Sequence, residues 1–242
     1  MSDSLGDRIK KYEGVYKRHL TSKMPVIVRL DGKAFHTYTK GFNRPFDHRI
    51  IDGMVYAAKK VAENMQGFKL GYIQSDEASF LITDYYDVNT QGWFNYNHDK
   101  IVSISASLMT IHFNRYMHSR ALYDKIALFD SRAFNVPRED VVNCFLWRCQ
   151  DWKRNSLQMY ARSVFSHKEL HKKNASDMHE MLYSEGKNWA TDLMDVEKNG
   201  TFLVKEDREI QRRHDILPEY SSIALVAEPL LYPLISVEER KA

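Results

Sequence analysis

Two short acidic motifs in this 242-residue chain have the residue types that phosphoryl chemistry uses. Asp31 follows the apolar run Val26-Ile27-Val28 and precedes Gly32, and Asp76-Glu77 follows Ser75, 45 positions further on. Mg²⁺ takes hard oxygen ligands, typically one or two carboxylates plus substrate phosphates. Two such ions about 3.5–4 Å apart stabilise both the attacking and the leaving oxygen of an in-line displacement. Phosphoryl and nucleotidyl transfer place charge on those atoms and on the equatorial oxygens. The carbonyl of Gly32, next to Asp31, would complete such a donor set. Each motif also has a plainer reading. Asp-Gly is a common turn dipeptide, and Asp76-Glu77 reads equally well as a solvated hairpin tip.

The chemistry depends on whether the chain brings the motifs together. Val26-Ile27-Val28, opened by Pro25 and closed near Gly32, reads as a buried strand ending in a turn. Residues 71–82 read as two short strands around a polar tip that holds Ser75, Asp76 and Glu77. Apolar residues at helical spacing predict helices over 5–20, 47–65, 100–117, 138–165 (one helix or a pair) and 176–182. Strands are predicted at 127–129 and 201–204, and periodicity fades after Asp207. Strand, helix, hairpin, helix, strand is the order of an α+β, ferredoxin-like βαββαβ sheet with helices on one face. In that arrangement the end of the first strand lies beside the central hairpin tip, so Asp31 and Asp76 are expected to meet.

Composition sets the outer limits. An apolar fraction of 43% is that of an ordinary folded chain, and its length suffices for a substantial core. The net charge of +3 does not by itself name a nucleic-acid partner. Cys144 and Cys149 match neither a zinc quartet nor a CxxC pair and read as reduced structural thiols. His167 and His171 stand at i, i+4 without an evident third ligand. Residues 1–11 are polar and charged, and no apolar run reaches the ~18 residues of a membrane span. A cytoplasmic protein without membrane association is expected.

The blocks Arg29-Leu30-Asp31-Gly32-Lys33-Ala34-Phe35-His36, Phe42-Asn43-Arg44-Pro45 and Tyr72-Ile73-Gln74-Ser75-Asp76-Glu77 resemble signatures of the histidine-tRNA guanylyltransferase family. Phe129-Asp130-Ser131-Arg132 and Trp147-Arg148-Cys149-Gln150-Asp151 resemble two later blocks. Members of this family are 3′-to-5′ RNA polymerases, which extend a chain at its 5′ end. The resemblance implies a polymerase palm-like core with two Mg²⁺ ions, ATP and GTP as substrates, tRNA as partner and a homotetramer. It implies metal ligation by Asp31, the Gly32 carbonyl and Asp76, with Glu77 as the adjacent acidic residue. Gly32, Lys33, Ala34, Phe35 and His36 match the loop around the nucleoside triphosphate, with Phe35 on sugar or base and His36 on phosphate. The resemblance makes Ser75 and Lys100 further contacts to the phosphates, and Asp47 either a base contact or the N-cap of the next helix. Arg44, Arg132, Arg148, Lys153, Arg154, Asn155 and Lys198 are the candidates for RNA, the middle four within a basic, aromatic stretch suited to RNA ends.

The eukaryotic members that serve histidine tRNA carry a His-Ile-Asn-Asn-type run after the Trp-Arg block. Here the run is Asp151-Trp152-Lys153-Arg154-Asn155, closer to the bacterial and archaeal branch, which resembles template-dependent repair enzymes for 5′-truncated tRNAs. The expected organisation is a palm catalytic domain over 1–140. A helical RNA-binding portion over 141–242 comes next, sending a strand back to the palm rather than folding separately. The competing readings are a guanylyltransferase dedicated to histidine tRNA, a palm-type nucleotidyl cyclase that needs no RNA, and a non-catalytic RNA-binding protein.

Overall fold

Val26, Val28 and Leu30 pack into one apolar cluster while Ile27, between them, packs into another. Strand β1 (Val26–Gly32) is therefore covered on both faces, and the fold follows from supplying those two covers. The computed structural model describes residues 4–85, 89–120, 125–206 and 209–231. After helix α1 (Leu5–Gly14) and β1 come the single turn α2 (Phe35–Tyr38), helix α3 (His48–Asn64), the hairpin β2 (Phe68–Gln74) and β3 (Glu77–Ile82), helix α4 (His98–His118) and strand β4 (Phe129–Asn135). The second half runs α5 (Arg138–Val164), α6 (Ala175–Ser184), the short α7 (Trp189–Asp192) and α8 (Asp195–Asn199), β5 (Thr201–Glu206), β6 (Glu209–Arg213) and α9 (Tyr220–Ala227).

The six strands form one antiparallel sheet in the order β4-β1-β3-β2-β5-β6. Its first four strands, with α3 and α4, are the expected βαββαβ unit. The first cover is α3 and α4, whose Met54, Ala58, Val61, Met109 and Phe113 join Val26, Val28, Leu30 and Phe80. The expectation of helices on one face alone is corrected here. Val141, Val142, Phe145 and Cys149 of α5, with Ile223, Ala224 and Ala227 of α9, bury Ile27, Leu70, Tyr72 and Leu81 on the other face. The segment beyond Asp207, which had no assigned role, thus adds an edge strand and part of that cover. The far half of α5 leaves the sheet and packs Leu157, Tyr160 and Ala161 against Met178 and Leu182 of α6 and Trp189 of α7.

Other boundaries also moved. Helix α1 stops at Gly14 rather than residue 20 and has no buried residue, so no tertiary packing extends it past a poor helix former. Ala127 stays outside β4 because the Asn114 side chain takes both its backbone groups, at 2.9 and 2.8 Å. The stretch 138–165 is one helix, α5, with Glu139 and Asp140 in its first turn, where acidic residues complement the helix dipole. Among the described residues no helix is long and apolar enough to cross a membrane.

Candidate active site

In the register of the sheet, Asp31 stands opposite Glu77 of β3 on one side and Asp130 of β4 on the other. The β2–β3 hairpin turns through two residues, Ser75 and Asp76, and Gly32 N–H donates to the Asp76 carbonyl at 3.0 Å. The end of β1 is thereby fastened to the hairpin tip, and Asp31, Asp76 and Glu77 line one cavity of about 550 Å³. Ser75 has φ 48°, a left-handed conformation that two-residue hairpins usually give to Gly, Asn or Asp. Its hydroxyl lies beside the Asp76 carboxylate and acts to lower the pKa of that group.

Burial lifts the Asp31 carboxyl above the ordinary carboxylate range, and neighbouring Asp130 adds to the effect. Asp76 is raised chiefly by burial as well, against the Ser75 hydrogen bond. Burial also raises Glu77, outweighing the pull of Arg148. Arg148 Nη2 donates to Glu77 Oε2 at 2.9 Å and to Asp151 Oδ2 at 2.9 Å, and its Nε lies 2.7 Å from Glu77 Oε1. A cation beside Asp31 and Asp76 would offset their desolvation, and the donor set is one of hard oxygens. Among the described residues no group of three or more His, Cys, Asp or Glu is arranged to hold a metal. A cation here would rest on two carboxylates, the Gly32 carbonyl and substrate oxygens, a set that fits Mg²⁺ better than a softer metal.

A second cavity of about 640 Å³ adjoins the first and shares Gln74, Ser75, Asp76 and Trp152 with it. Its lining is mixed: Phe42, Pro45, Ile50, Met54 and Ile73 supply apolar surface, and Asn43, Arg44, Asp47 and Arg162 polar groups. The loop after β1 enters it. A Cβ on Gly32 would lie 2.2 Å from the Phe35 ring, so only Gly lets that ring fold in. Lys33 N–H donates to the Leu128 carbonyl at 2.8 Å, and Ala34 turns the chain with φ 52°. Phe35 packs against Tyr38, Phe113 and Phe129, with centroids 5.0, 5.5 and 5.3 Å away, so its ring belongs mainly to the core. His36 is exposed and lines both cavities.

Asp47 takes the cap position. Its Oδ1 accepts from the Arg49 backbone N–H at 3.0 Å and Oδ2 from Asn43 N–H at 2.9 Å, and Arg49 binds both oxygens. The Arg49 hydrogen bond holds this carboxyl below its usual range. Lys100 is not brought to the carboxylates. It lies in the first turn of α4, beside the Arg18–Asp99 pair, whereas Ser105 and Thr110 further along that helix reach β4 next to Asp31.

The basic stretch on α5 divides. Arg148 is buried and committed to carboxylates, which removes it from the surface that RNA could touch. Trp152 and Tyr160 pack inward, while Trp147 is 55% exposed beneath Arg29 and Arg148. Arg154 pairs with Asp151, Lys153 lies 5.9 Å from the Trp189 ring centroid, and Asn155 donates to Asp151 at 3.3 Å while lining the carboxylate cavity. Lys198 donates to the Ala190 carbonyl at 2.6 Å and sits 3.5 Å from Asp195, a structural placement. Arg44 lines the second cavity, and Arg132 is exposed, 3.8 Å from Asp130.

Sequence reasoning did not single out Asp130, Asp151, Gln158 or Arg162 as site residues. A signal for three of them was available, because 148, 151, 155, 158 and 162 recur at three- and four-residue steps and so share one helix face.

A family model described as tRNAHis guanylyltransferase matches residues 6–137, more than half of the chain. The chain belongs to the tRNAHis guanylyltransferase family. It is accordingly an enzyme of the nucleotidyltransferase class. Among solved structures of this family, a bacterial tRNAHis guanylyltransferase-like protein in complex with ATP is 40% identical. It superposes with a TM-score of 0.90, covering 95% of this chain and all of its own. A bacterial guanylyltransferase-like protein in complex with GTP is 37% identical with a TM-score of 0.80 over the same shares. The tRNAHis guanylyltransferase of Kluyveromyces lactis is 32% identical over 66% of this chain and 73% of its own length.

Proposed function

We propose that this enzyme adds nucleotides to the 5′ end of tRNA in the 3′-to-5′ direction, choosing each by an opposing template base, and so repairs 5′-truncated tRNA. The observation that carries the reading is the meeting of Asp31 and Asp76 in a carboxylate-lined cavity that continues into one of mixed apolar and polar lining. The first suits a triphosphate and its Mg²⁺ ions, the second a nucleoside. Relatives in complex with ATP and with GTP support both nucleotides as substrates.

On this reading Asp31, the Gly32 carbonyl and Asp76 hold two Mg²⁺ ions, which supply charge stabilisation for the transferring phosphoryl group. Ser75, beside the Asp76 carboxylate, favours its charged form. Arg148 fixes Glu77 beside Asp31 without placing a third free anion at the reacting centre. Arg162 and His36 border the carboxylate cavity and suit phosphate oxygens. ATP adenylylates the tRNA 5′-monophosphate with loss of pyrophosphate. The 3′-hydroxyl of the incoming nucleoside triphosphate then attacks, and AMP leaves. The exposed Lys153, Arg154 and Arg132 are the surface charges we assign to RNA, within a portion spanning 141–242 for the first two and on β4 for the third. The same reading makes the protein cytoplasmic and tetrameric.

The test uses Mg²⁺, ATP, GTP and a 5′-monophosphorylated tRNA lacking its first nucleotide, with each base opposite the gap in turn. Extension that tracks the opposing base is expected. Addition of G alone to full-length histidine tRNA would replace the repair reading with the dedicated one. Cyclic nucleotide formed without RNA would point to a cyclase.

A further inference from the structure

We propose that Gln74 and Trp152 together bind a ribose hydroxyl of the nucleotide, so that the enzyme discriminates against a nucleotide that lacks that hydroxyl. The proposal rests on the nucleotide reading of the two cavities. If the triphosphate occupies the carboxylate cavity and the base the adjoining one, the sugar lies at their junction. Gln74 and Trp152 are two of the residues common to both.

Both are buried, at 5% and 4% exposure, and each keeps one polar atom without a hydrogen-bond partner: the Gln74 amide oxygen and the Trp152 indole N–H. Buried polar atoms are nearly always paired, and an orphan at a cleft calls for a ligand group. The two atoms are complementary in kind, since the amide oxygen only accepts and the indole N–H only donates. They do not satisfy each other. A phosphate oxygen accepts and has no proton to give, so it answers only the indole. A hydroxyl accepts one bond and donates another, so it answers both. Each residue is held by its element. Gln74 pairs with Glu77 at the last rung of the hairpin, and the Trp152 ring meets Phe46 edge-on with centroids 6.1 Å apart. A pre-positioned donor and acceptor discriminate well, because an analogue lacking the hydroxyl leaves both unpaired again.

Equilibrium binding of ATP, 2′-deoxy-ATP and 3′-deoxy-ATP to the full chain tests this without turnover. One of the two analogues is expected to bind about tenfold more weakly than ATP, equivalent to 1.4 kcal/mol. Trp152→Phe keeps the ring against Phe46 and deletes only the N–H, and Gln74→Met keeps the chain length and deletes the acceptor. In each variant the penalty should shrink to about threefold or less through weaker ATP binding, with the affinity for the deoxy analogue unchanged. That unchanged affinity also certifies that the cleft is still folded. The assignment is overturned if neither analogue is penalised by the wild type, or if the penalty survives in either variant. Wild-type protein that binds no ATP at all would overturn the nucleotide reading itself, an outcome distinct from ATP bound without discrimination.

Discussion

Asp31 and Asp76 are carboxylates whose protons are held more tightly than usual by burial, so in the metal-free chain their charges weigh against folding. Asp31→Asn and Asp76→Asn should each raise the metal-free melting temperature, since each removes a charge that burial disfavours. Both should lose the adenylylation and extension steps by roughly a thousandfold or more, as several kcal/mol of charge stabilisation would imply. Adenylylation retained in either variant would argue against one shared metal site. Arg148 presents the reverse case. Its side chain and that of Glu77 are 11% and 14% exposed, so removing the cation leaves a buried anion with only the more distant charge of Arg29 to offset it. Arg148→Ala should cost roughly 3–5 kcal/mol in urea unfolding. Glu77→Gln should be milder, and the double variant should recover part of the loss. Additive losses would show that the pair is not coupled.

At the scale of elements, the cleft depends on how β1, the hairpin and α3 end. Asp47 caps α3 and at the same time binds Asn43 of the loop that walls the second cavity, so helix start and cavity wall share one carboxylate. Asp47→Ala should destabilise the fold by about 1–2 kcal/mol. The sign of its pH dependence is set by the direction of its shift. A carboxyl held below its ordinary 3.8 contributes stability that is complete above that value and lost as pH falls through the folded value. The gap between wild type and variant in urea unfolding should therefore stay constant from neutral pH to about pH 5 and close well below pH 4, within the range where the protein remains folded enough to measure. A gap that closed on raising the pH would show that Asp47 is not the charged cap.

For the whole molecule, the family match ends at residue 137, yet one face of the sheet is covered by α5 and α9, which lie beyond that point. Without these two helices Ile27, Leu70, Tyr72 and Leu81 would be open to water, and the carboxylate cavity would lose Arg148, Asp151 and Asn155. We propose that the two halves fold as one unit. A fragment of residues 1–137 should lack a cooperative thermal transition and bind a hydrophobic dye, as chains with exposed apolar surface do. A soluble fragment that melts cooperatively would show that the palm is an independent domain.

The sequence determined the elements and the two carboxylates. Apolar residues at strand and helix spacing marked β1, α3, the hairpin, α4 and α5, because such periods are local properties of the chain. Asp31 at a strand end and Asp76 at a turn could be recognised because βαββαβ order brings those points together. Tertiary structure alone decided how neighbouring charges are used. Arg148, Lys153 and Arg154 look alike in the sequence, but of the three Arg148 is the one buried against Glu77 of the sheet, while Arg154 pairs with Asp151 from an exposed position. Phe35 reads as a ligand contact in its motif, and the fold packs its ring into the core while leaving it on the lining of the second cavity, because Gly32 lets the ring turn inward. Lys100 and Asp31 belong to adjacent elements, but α4 carries the lysine at the end away from the carboxylates. Burial and partnership are set by which elements meet, and residue spacing alone does not contain that information.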